Sequence, residues 1–354
     1  MFNPLHNDLT TTINSVLEDR TQLIEIIKNP ASPEAKAVLN LANQVRLMMV
    51  GNDVHLRGLI EISNYCRNNC LYCGIRRDNS SLTRYRMTVA EIVATAQTGA
   101  GLGFKTIVLQ SGEDPFYSAK MLAEAIEEIT ALGLVVTLSL GERHPNDYEL
   151  WYQAGARRYL MRHETANPVL YQKLHPGQSL EHRIQLLKIL KEIGYQVGSG
   201  FMVGLPQQTP EDLISDLELL KELDADMVGI GPFIPHPKTP LGVNSQGDLA
   251  LTLLMVALAR LTLPEALIPA TTALGSIHPQ GRELALQAGA NVVMPNLTPV
   301  KYRSDYELYP NKICTNESAT HCHGCITTKI YQLGRTVATD FGHNQKWLRR
   351  QNHA

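Results

Sequence analysis

The six cysteines fall into two groups of three, Cys66-x3-Cys70-x2-Cys73 and Cys314-x7-Cys322-x2-Cys325, and none stands outside them. Three thiolates within eight residues can hold three irons of a 4Fe-4S cluster, whereas ordinary electron carriers use four cysteines. The iron left without a protein ligand can bind a substrate or cosubstrate directly, just as catalytic zinc sites with three protein ligands keep an open position. A three-cysteine zinc site and buried free thiols are the alternative readings. The second group reads as a further metal site, either iron-sulfur or a zinc set completed by His321 and His323. Disulfides are the other use of an even cysteine count. The first twenty residues, however, carry Asp8, Glu18 and Asp19 and no apolar run of signal length. That predicts a cytoplasmic, reducing location, where clustered cysteines bind metal.

Something must hold these loops. From Arg57 onward, eight apolar runs read as strands: Gly58 to Ile62, Thr106 to Gln110, Val135 to Leu140, Arg158 to Arg162, Gln196 to Val203, Met227 to Gly231, Leu267 to Thr271 and Asn291 to Pro295. Between them, Val89 to Thr98, Ala119 to Leu132, Leu180 to Ile193 and Pro210 to Leu223 repeat apolar residues at helical spacing. Alternating strands and helices demand a parallel sheet, and eight units fit an α/β fold of the (β/α)8 TIM-barrel type. A doubly wound open sheet is the rival, but a cysteine loop stands where its nucleotide fingerprint belongs. Gly99-Ala-Gly-Leu-Gly103 follows a helix and precedes a strand, the reverse of the order a dinucleotide loop needs. Ser32-Pro33-Glu34 has the form of a helix start, so residues 1–50 read as a helical extension. Residues 51–300 are then the barrel, and 301–354 a carboxyl-terminal extension with the second cysteine group.

Composition adds mainly exclusions. A net charge of -2 with 44% hydrophobic residues describes an ordinary globular chain with no evident nucleic-acid partner. The most apolar stretch, Leu249 to Ala259, is short for a bilayer span and reads as a buried helix, so no membrane contact is expected.

Barrel chemistry sits at the carboxyl ends of the strands. Polar residues recur there: Gln110 and Ser111, Glu142, Arg162 to Glu164, Thr271 and Thr272, and Asn296, together with Met202. In Leu109-Gln-Ser-Gly-Glu-Asp-Pro115, Gly112 permits close backbone approach and Glu113 can accept from an ammonium; the bland alternative is a plain turn. Arg183 can hold a carboxylate bidentately, with Glu164 on amino or ribose groups; the alternative is a surface ion pair.

The cysteine loop, with Tyr72 before its last cysteine, resembles the signature of the radical S-adenosylmethionine superfamily. The resemblance implies a [4Fe-4S] cluster on Cys66, Cys70 and Cys73, and S-adenosyl-L-methionine cleaved reductively to a 5'-deoxyadenosyl radical. It places the cosubstrate among Tyr72, Gln110, Ser111, Gly112, Glu113, Ser139, Arg162, Glu164, Arg183 and Met202. Arg76-Arg-Asp-Asn79, Arg162-His-Glu-Thr-Ala-Asn-Pro168, Met227 to Pro237, Pro269-Ala-Thr-Thr272 and Asn291 to Asn296 resemble the HydE family of [FeFe]-hydrogenase maturases, from about residue 50 to about 335. That implies a part in building the hydrogenase's diiron subcluster from an organometallic fragment, with HydG and HydF as partner maturases and ferredoxin or flavodoxin as electron donor. It places Arg57, Thr271, Thr272, Met294 and Tyr306 on the substrate and a [2Fe-2S] cluster on Cys314, Cys322 and Cys325. Biotin synthase and methylornithine synthase share the barrel and take small, amino-acid-like substrates. A sacrificial cluster of the biotin synthase kind needs ligands on barrel strands, and the terminal cysteines lie beyond the eighth. A non-catalytic iron-sulfur or zinc scaffold is the reading from another class.

Overall fold

The computed structural model describes residues 4–352. Three helices come first, α1 (Pro4–Glu18), α2 (Arg20–Lys28) and α3 (Pro33–Val50). Ser32 caps α3 through a bond from the Ala35 amide to its Oγ at 3.1 Å, as the Ser-Pro-Glu start predicts.

The strands follow in chain order: β1 (Asp53–Ser63), β2 (Thr106–Ser111), β3 (Val135–Ser139), β4 (Ala156–Leu160), β5 (Gln196–Ser199), β6 (Met202–Val203), β7 (Met227–Val228), β8 (Gly231–Pro232), β9 (Val292–Val293) and β10 (Thr336–Val337). Ladders β1-β2-β3-β4-β5-β7 are all parallel. β9 pairs with the other edge of β1, and Leu267 to Pro269 spans the gap by single bridges, Met227 to Leu267 and Pro269 to Val292. The ring closes into the expected barrel. Its seventh segment is not a regular strand, because Pro269 has no N–H to offer a ladder. The fifth run is likewise split at Gly200, where an added Cβ would lie 2.0 Å from the Gly229 carbonyl oxygen.

Crossover helices α4 (Val89–Gly101), α5 (Ala119–Ala131), α6 (Pro145–Gln153), α7 (Pro168–Leu174), α8 (Leu180–Ile193), α9 (Pro210–Glu222) and α10 (Leu249–Thr262) wrap the sheet. Thr88 with Glu91, and Thr209 with Asp212, form capping boxes that start α4 and α9. Gly99 to Gly103 ends α4 and leads into β2, as expected of a turn. The Leu249 run forms α10, buried continuously from Thr252 to Leu261. No helix among the described residues is long and apolar enough to cross a membrane. Leu258 in α10 is fully buried, so Leu258→Ala is expected to cost about 3 kcal/mol. A lower urea midpoint at unchanged slope is the check.

The carboxyl-terminal segment seals the amino end of the barrel. β10 pairs with the start of β1, Asp53 opposite Thr336. Arg350 of the closing helix Gln345–Asn352 reaches Asp226 at 2.7 and 2.9 Å, and the fully buried Arg158 donates to the Phe341 carbonyl at 2.7 Å. The large cavity lies at the opposite end, at the carboxyl ends of the strands.

Candidate active site

β1 runs inward through Leu59 and Glu61 and delivers the chain to the cysteine loop. The loop is held by its backbone and its neighbours. Arg67 N–H donates to the Glu113 carbonyl at 2.9 Å, Leu71 N–H to the Leu174 carbonyl at 2.9 Å, and Gly74 N–H to the Leu308 carbonyl at 2.8 Å. Two glycines make the approach possible. A Cβ on Gly112 would stand 2.3 Å from the Tyr65 carbonyl oxygen and 2.7 Å from Cys66 Cβ, and one on Gly74 would stand 2.0 Å from the Glu307 carbonyl oxygen.

The loop forms one wall of a cavity of about 330 Å³ at the barrel mouth. Cys66, Cys70, Tyr72 and Cys73 share it with Gln110, Ser111, Gly112, Glu113, Ser139, Arg162, Glu164, Arg183 and Met202, and with Thr271, Thr272, Met294 and Tyr306. Arg57 does not join them. Inward-facing strand positions alternate, so Arg57 lies about 13 Å below Glu61 along β1. There its Nη1 meets Met227 Sδ at 3.1 Å and its Nη2 the Gly342 carbonyl at 3.4 Å. It belongs to the sealed amino end, where burial lowers its pKa to about 10.

Charges in the cavity are arranged in pairs. Arg183 is not a free fork: Nε donates to Glu142 Oε1 at 2.7 Å, Nη1 to the Arg162 carbonyl at 2.9 Å and Nη2 to Gln178 Oε1 at 3.1 Å. Burial opposes its charge, and Tyr171, Glu142 and Glu113 more than offset that. Glu113 accepts from the Glu142 amide at 2.9 Å and from Arg67 Nε at 3.0 Å. Arg162 and Glu164 pair at 2.9 Å.

Sequence reasoning missed several wall residues: Glu61, His175, Gln178, Tyr309 and Lys312. Lys312 and Glu61 form an ion pair that is almost wholly buried, and Asn296 Nδ2 donates to the other Glu61 oxygen at 3.0 Å. Only Glu61 carried a signal, an acid at an inward position of an apolar strand. His175 Nδ1 donates to the Tyr171 carbonyl at 3.0 Å, which leaves Nε2 to accept from the Tyr72 hydroxyl at 3.0 Å. Burial, then Arg183, holds this ring's pKa down from the usual 6.5 to about 3. His55 and His343 are held down to about 4, again chiefly by burial. A ring kept neutral in the fold contributes stability that is complete above 6.5 and is lost as pH falls toward the folded value. Each proton is worth about 1.4 kcal/mol per pH unit across that window. His175→Gln is therefore expected to give a shallower loss of unfolding free energy between pH 6.5 and 5 than the parent protein, measured by urea titration.

All six cysteines are free. Burial pushes the Cys73 thiol up to about 12, with Cys66 adding to the rise, and burial then Cys73 and Cys66 raise Cys70 well above the usual range. Three thiols that resist ionisation beside one another need a bound cation to deprotonate together, a donor set that fits the thiolate-held irons of a cluster. The second group lies across a shared wall. Cys314, Cys322 and Cys325 line a smaller pocket with Glu317 and His321, and Thr272, Met294 and Lys312 border both cavities. Cys314, Glu317 and Cys322 place their ligand atoms within 4.8 Å of one another. His323 is turned away, its ring 5.2 Å from that of Phe104.

The profile of the radical SAM superfamily matches residues 60–220. The chain is 54% identical over 330 residues to the [FeFe] hydrogenase maturase subunit HydE of Thermotoga maritima, across 92% of this chain and 95% of that one. It belongs to the HydE family of radical SAM enzymes. A more distant relative is the 3-methylornithine synthase of Methanosarcina barkeri, 34% identical over 73% of each chain. Among solved structures, a methylornithine synthase superposes with a TM-score of 0.77 at 28% identity, covering 92% of this chain and 97% of that one. The hydrogenase maturase HydG of Carboxydothermus hydrogenoformans shares the fold, with a TM-score of 0.76 at 19% identity over 97% of this chain and 86% of that one. Membership in the HydE family of radical SAM enzymes implies a [4Fe-4S] cluster and S-adenosylmethionine as the working cofactors.

Proposed function

We propose that this chain is a cytoplasmic maturase of an [FeFe] hydrogenase that acts by reductive cleavage of S-adenosylmethionine. The identity with the Thermotoga HydE along nearly the whole of both chains carries the reading. Cys66, Cys70 and Cys73, which share the cavity wall, would hold the cluster with three thiolates for its four irons. Bound there, cluster and cosubstrate supply one-electron cleavage of the sulfonium to methionine and a 5'-deoxyadenosyl radical. The chain's own residues bind, orient and exclude water. Tyr72, fixed through His175, packs beside the cosubstrate; Gln110, Ser111, Gly112 and Glu113 meet its amino group through side chains and carbonyls. Arg162, Glu164 and Arg183 form the charged rim, and Ser139 and Met202 complete the wall.

Deeper in, Thr271, Thr272, Met294 and Tyr306 face the substrate, a small or organometallic molecule bearing an anionic group. A ferredoxin or flavodoxin supplies the electron, and HydG and HydF are the partner maturases. Cys314, Cys322 and Cys325 hold a second cluster of the [2Fe-2S] kind; Cys322→Ser is expected to remove that iron and leave the first site loaded, as iron analysis will show. Maturation of a hydrogenase apoprotein in an extract lacking only this component tests the role. Hydrogen evolution should return on adding this chain. A 3-methylornithine product, with no hydrogenase activation, would point instead to its other relatives.

A further inference from the structure

His163 and Asp216 are both closed off from solvent and take no part in the cavity wall. Their contact, Nε2 to Oδ1 at 3.2 Å, joins the segment just beyond β4 to the middle of α9. The same Asp216 oxygen accepts from the Ala166 amide at 2.5 Å, while Oδ2 has no partner. On the other side of the ring, His163 Nδ1 meets Ser199 Oγ at 2.9 Å, and that oxygen also accepts from the His163 amide at 3.2 Å. Ser, His and Asp in this order have the form of a nucleophilic triad. Ser199 is itself fully buried and lies outside the walls of both the barrel-mouth cavity and the terminal pocket, so a substrate in either does not meet it. The arrangement is built to hold something in place.

What it holds is the turn at residue 164. Glu164 has φ +66°, a left-handed conformation that a residue with a side chain keeps only where its surroundings dictate it. Its amide donates to the Gly200 carbonyl and its carbonyl accepts from the Met202 amide, both at 3.0 Å. His163 precedes it and Ala166 follows, and Asp216 ties the two together. One turn earlier on α9, Asp212 accepts from Asn167 Nδ2 at 2.8 Å, so α9 grips the same turn twice from one face. The Glu164 carboxylate then meets Arg162 Nε at 3.2 Å, and both side chains line the cavity.

We infer that the His163–Asp216 pair is a positioning device for the cosubstrate, fixing the left-handed turn that aims the Glu164 carboxylate, with Arg162, at its hydroxyl or ammonium groups. The inference rests on the reading of this cavity as the S-adenosylmethionine site. Neither residue touches a reacting atom; both act through Glu164.

The test uses the full chain, reconstituted without oxygen, with S-adenosylmethionine binding measured by equilibrium dialysis beside iron content. His163→Ala and the same-sized Asp216→Asn should each weaken binding about tenfold with cluster iron unchanged. Leu258→Ala, which loosens the fold far from this turn, should bind as the parent does. Glu164→Gln should also weaken binding, and combining it with His163→Ala should add nothing further. If His163→Ala fails to fold, Asp216→Asn with Glu164→Gln makes the same comparison. Additive losses, or unchanged binding in Asp216→Asn, overturn the positioning role while leaving the cavity reading intact. Unchanged binding in Glu164→Gln overturns the positioning role together with the place given to Glu164. A parent protein that binds no S-adenosylmethionine overturns the cavity reading and the positioning role with it.

Discussion

Replacing Cys66 with serine is expected to bring 5'-deoxyadenosine release down to the level of a protein-free control, and to remove about four irons per chain. Cys66 lies where β1 hands over to the loop, against Gly112, and no other cysteine lines this cavity beyond Cys70 and Cys73. A serine hydroxyl is a harder, more weakly ionised ligand and does not replace a thiolate on iron. The fold should persist, because the loop's position depends on backbone bonds to Glu113, Leu174 and Leu308. Any iron held at the terminal pocket should be untouched, and a variant keeping roughly full turnover would show that the first cluster is held elsewhere.

Arg183→Ala is expected to have the second largest effect. Its guanidinium meets Glu142, the Arg162 carbonyl and Gln178 at once, and lies 3.8 Å from Glu113. The side chains of Arg183, Glu142 and Glu113 are each no more than 10% exposed. Arg67 still holds Glu113, but removing Arg183 leaves the buried Glu142 carboxylate without its close partner, at about 3–5 kcal/mol. Arg183→Lys should recover only part of this, since one ammonium cannot span three acceptors. Urea unfolding of the cluster-free protein measures the loss, and adding Glu142→Gln to Arg183→Ala should restore part of it. A loss under about 1 kcal/mol would mean that the group is wetter and weaker than its geometry indicates.

Features with local causes were legible in the sequence. The cysteine loop, the glycine beside it, the capped helices and the apolar α10 all follow from spacing and residue type over short stretches. The barrel itself was legible because strands and helices alternate, although Pro269 and Gly200 break strands that hydropathy alone reads as continuous. What could not be read is what the barrel brings together from afar. Glu61 and Lys312 pair across 251 positions, and Tyr72 meets His175 across 103. Arg183 looked free as a sequence position, and only the fold shows its donors already engaged. The family resemblance put Arg57 with the cavity residues, yet its depth along β1 places it with the carboxyl-terminal seal.

If Cys66, Cys70 and Cys73 hold a cluster open to S-adenosylmethionine, the loaded protein will cleave that cosubstrate once reduced. Quantifying iron, zinc and 5'-deoxyadenosine after reconstitution without oxygen, reduction with dithionite and addition of S-adenosylmethionine tests it most directly. Iron at the loop is expected, with 5'-deoxyadenosine and methionine accumulating in equal amounts. Zinc in place of iron, or a full complement of iron that releases no 5'-deoxyadenosine, would contradict it.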